Sequence, residues 1–84
     1  MNAKHRKTFE AIFTLPVNGN LEWRKIESLL LALGAEMIEG SGSRVTFFLN
    51  RKRADFHRPH PGKEALRYRV SAAREFLEQT GVKP

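Results

Sequence analysis

Two histidines that could move protons stand close together in the second half of the chain, in the run FHRPHP. His57 and His60 flank an arginine and a proline there. Histidine titrates near neutrality and serves as a general acid or a general base. Cleaving RNA requires a proton to be taken from a 2′-OH and another to be given to the leaving oxygen, with positive charge near the phosphate. The pair therefore points to acid–base catalysis on RNA, a chemistry that requires no metal.

Two other interpretations of these histidines are open. As metal ligands they would make a weak site, because two histidines without a carboxylate or thiol nearby hold a metal poorly and the prolines constrain the backbone between them. As polar loop residues they would move no proton. We expect no metal and no cofactor. For His5, which lies in the basic N-terminal segment, we expect no chemical role.

The positive charge of the chain is concentrated around the two histidines. Fifteen lysines and arginines face nine aspartates and glutamates, for a net charge of +6. Residues 44–69 hold eight basic and two acidic residues, a balance equal to the net charge of the whole chain. Charge concentrated in one segment is typical of a protein that binds a polyanion, although a solubilising surface is the alternative. The candidate RNA-binding residues are Arg44, Phe48, Arg51, Lys52, Arg53, Arg58 and Lys63.

The spacing of apolar residues predicts three helices, over residues 4–13, 22–33 and 64–80. Asn20 is expected to cap the second helix at its N-terminus, and Gly34 to end it. Gly81 is expected to end the third helix, and Pro84 could not extend it. The third helix should bury one face made of Leu66, Val70, Ala73, Phe76 and Leu77.

Between the second and third helices the pattern changes to one of short strands and turns. Residues 35–40, 44–50 and 54–58 read as three strands, with a glycine–serine turn first and the turn NRKR second. An antiparallel three-stranded meander with helices on one face is a two-layer α+β sandwich. We expect residues 1–84 to form a single domain, in which residues 1–21 are an N-terminal helical extension.

The strand alternation assigns one set of side chains to the core and another to a free face of the sheet. Val45, Phe47, Leu49, Ala54 and Phe56 form the better core set. Arg44, Thr46, Phe48, Asp55 and His57 then point outward, beside the Arg51–Lys52–Arg53 turn. Such a face could hold a phosphate backbone and stack a base on Phe48. Alternatively, Phe48 packs under the N-terminal helix.

The stretch EGSGSRVTFFL, followed by FHRPHPG and a C-terminal helix, resembles the HicA family of toxins. The resemblance runs from about Trp23 to Val82, so residues 22–84 would be a HicA-like core. It implies a double-stranded-RNA-binding-domain-like fold with the order α-β-β-β-α. It also implies an mRNA interferase that is paired with a HicB antitoxin, which would cover the basic face.

The match to the family pattern is uneven. The family places its active-site histidine after Gly-Ser at the head of the second strand, where this chain has Arg44 and Val45 after Ser43. The Pro-His-Pro motif does match, at residues 59–61. Three interpretations follow. The chain is an RNase whose histidine role has moved to His60 or His57, or a HicA-like protein that binds RNA or antitoxin without cutting. The third interpretation is a protein-interaction module with a basic docking face.

The composition favours a soluble, cytoplasmic protein. The chain has no cysteine, which suits a reducing compartment. No apolar run approaches the roughly 20 residues that a membrane span requires, and the basic N-terminus is followed by too short an apolar stretch for a signal peptide.

Overall fold

The structure, a computed structural model, describes residues 1–60 and 62–82. Its elements, in chain order, are α1 (Ala3–Phe13), α2 (Trp23–Ala32), β1 (Glu36–Glu39), β2 (Arg44–Leu49), β3 (Lys52–His57) and α3 (Arg67–Thr80). This is the α+β class expected from the sequence, with two helices before the sheet and one after it.

The three strands form an antiparallel sheet in the order β1-β2-β3. Phe47 on the central strand pairs with Met37 on one side and with Ala54 on the other. The β2–β3 turn is shorter than the predicted NRKR turn and consists of Asn50 and Arg51, both with positive φ (50° and 67°). Positive φ at both central residues gives a two-residue turn whose twist matches that of the strands.

One face of the sheet is buried against the helices, as the strand alternation predicted. Val45 and Phe47 are fully buried, and Phe56 is nearly so. Trp23, at the start of α2, packs on Phe56 with 5.1 Å between ring centroids. Phe9, on α1, lies in the same hydrophobic cluster, so α1 helps to close the core.

The start of α3 is the largest difference from the sequence-based expectation. The helix begins at Arg67 rather than at residue 64, and Leu66, expected on the buried face, is 53% exposed. The reason is a long-range backbone pairing, in which Ala65 N–H donates to Leu21 C=O at 2.7 Å and Trp23 N–H donates to the carbonyl of Lys63 at 3.0 Å. The other four residues expected on that face, Val70, Ala73, Phe76 and Leu77, are buried.

The helix ends confirm two of the cap predictions and correct one. Gly34 and Gly81 both have positive φ, at 98° and 85°. Asn20 does not cap α2. Its backbone N–H instead donates to the side-chain oxygen of Asn18, and Glu22 is the N-cap residue without a side-chain hydrogen bond. Pro84 lies outside the described residues. In the part of the chain that the structure describes, no helix has the length and apolarity to cross a membrane.

Candidate functional site

The face of the sheet opposite the helices is called here the open face. On β2 it carries Arg44, Thr46 and Phe48, whose Cα partners on β3 are His57, Asp55 and Arg53. From β1 it carries Glu36 and Ile38, which pair with Phe48 and Thr46. All of these side chains are exposed or half-buried except Thr46. The cations of the open face therefore lie on β2 and β3, and the β1 side carries an acid and an apolar residue.

Arg44 and His57 lie directly opposite each other at one end of the open face. Both are exposed, and side chains on directly paired strand residues have Cβ atoms about 4.5–5.5 Å apart. Gly40 leaves room for the arginine, because a Cβ added there would come within 3.3 Å of three Arg44 side-chain carbons. The fold thus places two predicted site residues, Arg44 and His57, on directly paired strand positions, with the Arg44 side chain running over Gly40.

Thr46 differs from the other side chains named on the open face because it is buried. It was expected to point outward into solvent, but it is only 9% exposed. Its hydroxyl donates a hydrogen bond to Asp55 Oδ1, and Arg53 forms an ion pair with the same oxygen at 3.3 Å. The hydrogen bond from Thr46, followed by the interactions with Arg53, holds the pKa of the Asp55 carboxyl below its ordinary value. An ionised Asp55 thus offsets part of the charge of Arg53.

Phe48 lies on the open face beside the hairpin tip. The Arg53 guanidinium carbon is 5.9 Å from its ring centroid. The register turns Phe48 away from the face that buries Phe47 against the helices, while on α1 Phe9 packs on Phe13 at 4.9 Å. Phe48 is therefore half-buried on the open face and does not lie under α1.

The hairpin tip carries the basic cluster predicted from the sequence. Arg51, Lys52 and Arg53 are all exposed. Lys52 is the strand partner of the buried Leu49, so it lies on the opposite face of the sheet from Arg53. Arg51 adopts φ 67°, a left-handed conformation that costs a residue with a Cβ about 1–2 kcal/mol. The tip is anchored to the end of α3, since Asn50 Nδ2 donates a hydrogen bond to the carbonyl of Thr80 at 2.8 Å.

Arg58, predicted to contact RNA, is tied instead to two carboxylates. Its Nε lies 3.0 Å from Glu27 Oε1, and its Nη1 lies 2.7 Å from Glu39 Oε1. Hydrogen bonds to Glu27 and then to Glu39 raise the pKa of Arg58. Glu27 also accepts a hydrogen bond from Trp23 Nε1 at 2.9 Å. The arginine between the two histidines therefore fixes the end of β3 to α2 and is poorly placed to bind a phosphate.

The remaining predicted residues lie beyond β3. His60 is exposed in the loop that follows the strand, and Pro61 of the Pro-His-Pro motif lies outside the described residues. Lys63 is exposed, with its Nζ 3.9 Å from Glu22 Oε1. His5 ties α1 to α2, because its Nε2 lies 3.0 Å from Ser28 Oγ.

Sequence reasoning missed a groove between β3 and α3. Its volume is about 190 Å³, and it is lined by Asp55, Phe56, His57, Tyr68, Arg69 and Ala72. Tyr68 is 62% exposed. The signal in the sequence was the run RYR, in which the only tyrosine of the chain stands between two arginines inside the basic segment.

Among residues 1–60 and 62–82 the structure contains no cluster of three or more histidine, aspartate or glutamate side chains placed to hold a metal ion.

Comparison with known protein families gives a match over most of the chain. The family model described as the HicA toxin of bacterial toxin–antitoxin systems matches residues 23–82, which is most of the chain. The match begins at the first residue of α2, and α1 precedes it. Neither the curated proteins nor the solved structures give a match.

Proposed function

The chain belongs to the HicA family of toxins from bacterial toxin–antitoxin systems, and from that premise we propose that it binds mRNA on the open face and cleaves it by histidine acid–base chemistry. Membership of the family implies an antitoxin partner, and we propose that a HicB-type antitoxin inactivates the protein by covering the open face. With mRNA as its substrate, the protein would act in the cytoplasm. Residues 1–84 act as one domain, with residues 22–84 as the core and α1 as an extension packed on it.

The observation that carries the proposal is the pairing of Arg44 with His57 on the open face. A phosphate held by the guanidinium would lie next to an imidazole that is able to take or give a proton. His60 follows three positions later, in an exposed loop. The second histidine supplies the other proton transfer that RNA cleavage needs.

The proposed reaction is an attack within the RNA strand. One histidine, in its neutral form, takes the proton of a 2′-OH while the 2′-oxygen forms a bond to the neighbouring phosphorus. The bond from phosphorus to the 5′-oxygen breaks, and the other histidine, in its protonated form, donates a proton to that oxygen. Arg44 stabilises the additional negative charge on the phosphate in the transition state. His60 is the residue assigned to the decisive proton transfer, with His57 as its partner.

RNA would run from the Arg44–His57 end of the open face toward the hairpin tip. Phe48 is four residue steps along an extended strand from Arg44, a distance of about 13 Å. Arg51 and Arg53 would neutralise phosphates at the far end, and Phe48 would stack a base. Lys63 adds charge on the loop side, whereas Arg58 supports the histidines through its carboxylate partners.

The conformation of Arg51 supports a binding role for the hairpin tip. Glycine is the residue that a position with φ 67° would favour. An arginine at that position is a local conflict between stability and sequence, and such conflicts are concentrated at functional sites. We infer that the charge of Arg51 is retained for binding.

A second candidate function is RNA or antitoxin binding without cleavage. It is favoured by the arginine that stands at position 44, where the family pattern has its histidine. A third candidate, a docking face for an acidic protein, shares the same cations but gives no role to the two histidines.

The test is an RNA cleavage assay with the purified protein in EDTA, run beside His60→Ala, His57→Ala and the double variant. We expect cleavage by the wild type, none by His60→Ala, and unchanged circular dichroism in all the variants. His5→Ala is the matched control and should cleave normally. Cleavage by the double variant would eliminate the histidine mechanism. Absence of cleavage by the wild type, together with RNA binding, would establish the non-catalytic candidate.

A further inference from the structure

The groove between β3 and α3 has features that nothing in the proposed function uses. It is open at the surface, next to His57, and Tyr68 forms one side of it. We propose that this groove is a nucleobase subsite, in which one base of single-stranded RNA stacks on the ring of Tyr68. The proposal rests on the proposed function, since it assumes that RNA binds the open face.

The size of the groove suits a single flat ring system. Its volume of about 190 Å³ is below the roughly 300–1,000 Å³ of sites that enclose whole small-molecule ligands. Phe56, which is 3% exposed, and the small side chain of Ala72 line its apolar part. A base could place one edge there and leave its sugar and phosphate outside.

Tyr68 is placed to stack without having a structural task. Tyr68 is 62% exposed, although α3 buries Val70, Ala73, Phe76 and Leu77 on its other face. The guanidinium carbon of Arg69 lies 5.0 Å from the centroid of the Tyr68 ring. A cation on one side of an aromatic ring is attracted by the ring and leaves the opposite side for a base. Aromatic side chains used in this way are typical of single-strand binding surfaces.

The groove continues into the open face through His57. That residue lines the groove and is also the strand partner of Arg44. A base inserted in the groove would therefore place its own phosphate near the imidazole and the guanidinium. The subsite would select which phosphodiester bond of the RNA meets the two histidines.

The charges around the groove favour a nucleotide over a protein side chain. Arg69, which lines the groove, makes no ion pair with any carboxylate in the described part of the chain. The acid that lines the groove, Asp55, is already paired with Arg53. An aromatic ring beside an arginine that has no carboxylate partner fits a base with its phosphate.

The first part of the test observes the ring itself. The single tyrosine of the sequence gives one set of aromatic ring resonances in a tyrosine-labelled sample of the full chain. The probe is a 2′-O-methyl adenosine hexanucleotide, which has no free 2′-OH and is not cleaved by this chemistry. We expect the Tyr68 ring signals to move upfield on titration, because a stacked base shields the ring protons. A hexamer of abasic sugar phosphates should leave them in place.

The second part measures affinity. Base–aromatic stacking is worth about 1–3 kcal/mol per base, so Tyr68→Ala should weaken binding of the adenosine hexamer by about 5- to 150-fold. Tyr68→Phe keeps the ring and should bind within about twofold of the wild type. Leu66→Ala, which removes a neighbouring exposed apolar side chain, is the matched control and should bind like the wild type. For the abasic hexamer, Tyr68→Ala and the wild type should bind equally.

The outcomes separate the subsite from the function on which it rests. If the wild type binds neither hexamer, the proposed function and the subsite both fail. If it binds the adenosine hexamer, but the ring signals stay in place and Tyr68→Ala binds normally, the subsite is wrong and RNA binding stands. If Tyr68→Ala weakens only the complex with the antitoxin, the groove is a protein-docking site and the nucleobase proposal is overturned.

Discussion

Replacing Glu27 should destabilise the protein far more than replacing Glu39, although both carboxylates bind the same arginine. Glu27 accepts hydrogen bonds from Arg58 and from the indole N–H of Trp23, whose side chain is only 4% exposed. Glu39 accepts one bond from Arg58, and its own side chain is 65% exposed. The two substitutions therefore remove the same charge from one network, but from a half-buried position and from a surface position.

The magnitude follows from what each change leaves behind. Glu27→Ala leaves a buried indole donor without a partner, which costs about 1–3 kcal/mol. It also removes charge-assisted hydrogen bonds worth about 1.5–3 kcal/mol, part of which is regained when water binds the freed groups. We expect a total loss of about 2–4 kcal/mol, against a whole-domain stability of about 5–15 kcal/mol. Glu39→Ala breaks an exposed ion pair and should cost about 0–1 kcal/mol.

The assay is urea denaturation followed by tryptophan fluorescence, with thermal melts in parallel. A loss of about 2–4 kcal/mol lowers the melting temperature of a domain of this size by roughly 10–30 °C. Glu27→Gln keeps an acceptor for Trp23 and should fall between the wild type and Glu27→Ala. Equal effects of Glu27→Ala and Glu39→Ala, or a loss below about 0.5 kcal/mol for Glu27→Ala, would refute this account of how Arg58 is anchored.

Three further perturbations test the hairpin and the open face. Arg51→Gly should raise stability by about 0.5–1 kcal/mol, because it relieves a left-handed arginine, and should weaken RNA binding; stronger or equal binding would contradict the role given to the tip. Asn50→Ala should cost about 2 kcal/mol in urea unfolding, since it places alanine at positive φ and breaks the bond to Thr80; a neutral effect would contradict the anchoring. Thr46→Val should raise the pKa of Asp55, measured in a carbon-13 pH titration. An unchanged pKa would show that the hydrogen bond from Thr46 is not the cause of the lowered value. A depressed carboxyl pKa contributes stability that is lost as the pH falls through that pKa. Thr46→Val should therefore lose less stability on acidification than the wild type does.

Periodic patterns predicted the architecture well. The apolar spacing that predicted the second helix appears in the structure, where α2 buries Trp23, Ile26, Leu29 and Leu30. The alternation of Val45 and Phe47 appears as well, because burial on one face imposes a helix or strand period on the sequence. Gly34 and Gly81 were predictable as helix ends for the same local reason: each has a positive φ that glycine adopts without strain.

Interactions between distant parts of the chain were not predictable. Residue 64 reads as the start of a helix, yet it pairs with Glu22, and nothing within a few residues of either position signals that pairing. Arg58 belongs to a basic run in the sequence, but its carboxylate partners stand 31 and 19 positions away. Charge counted along the chain therefore overestimates the charge that is available on the surface.

In the candidate site, too, local patterns were predictable from the sequence and long-range contacts were not. Strand alternation placed Arg44 and His57 on one face, and the structure has them there. It left two positions open for Phe48, and the strand register decides for the open face. The groove beside Tyr68 depends on where α3 crosses β3, which no pattern within one segment specifies.

The most direct test of the central claim, that the open face binds RNA, is the salt dependence of RNA affinity. Fluorescence anisotropy would follow a labelled 2′-O-methyl RNA at increasing salt, with the wild type, Arg44→Ala and the control Arg24→Ala on α2. Each phosphate contact on a single strand contributes about 0.7 to the slope of log affinity against log salt. The account predicts salt-dependent binding whose slope falls by about 0.7 in Arg44→Ala and is unchanged in Arg24→Ala. No binding by the wild type, or equal slopes for the two variants, would contradict it.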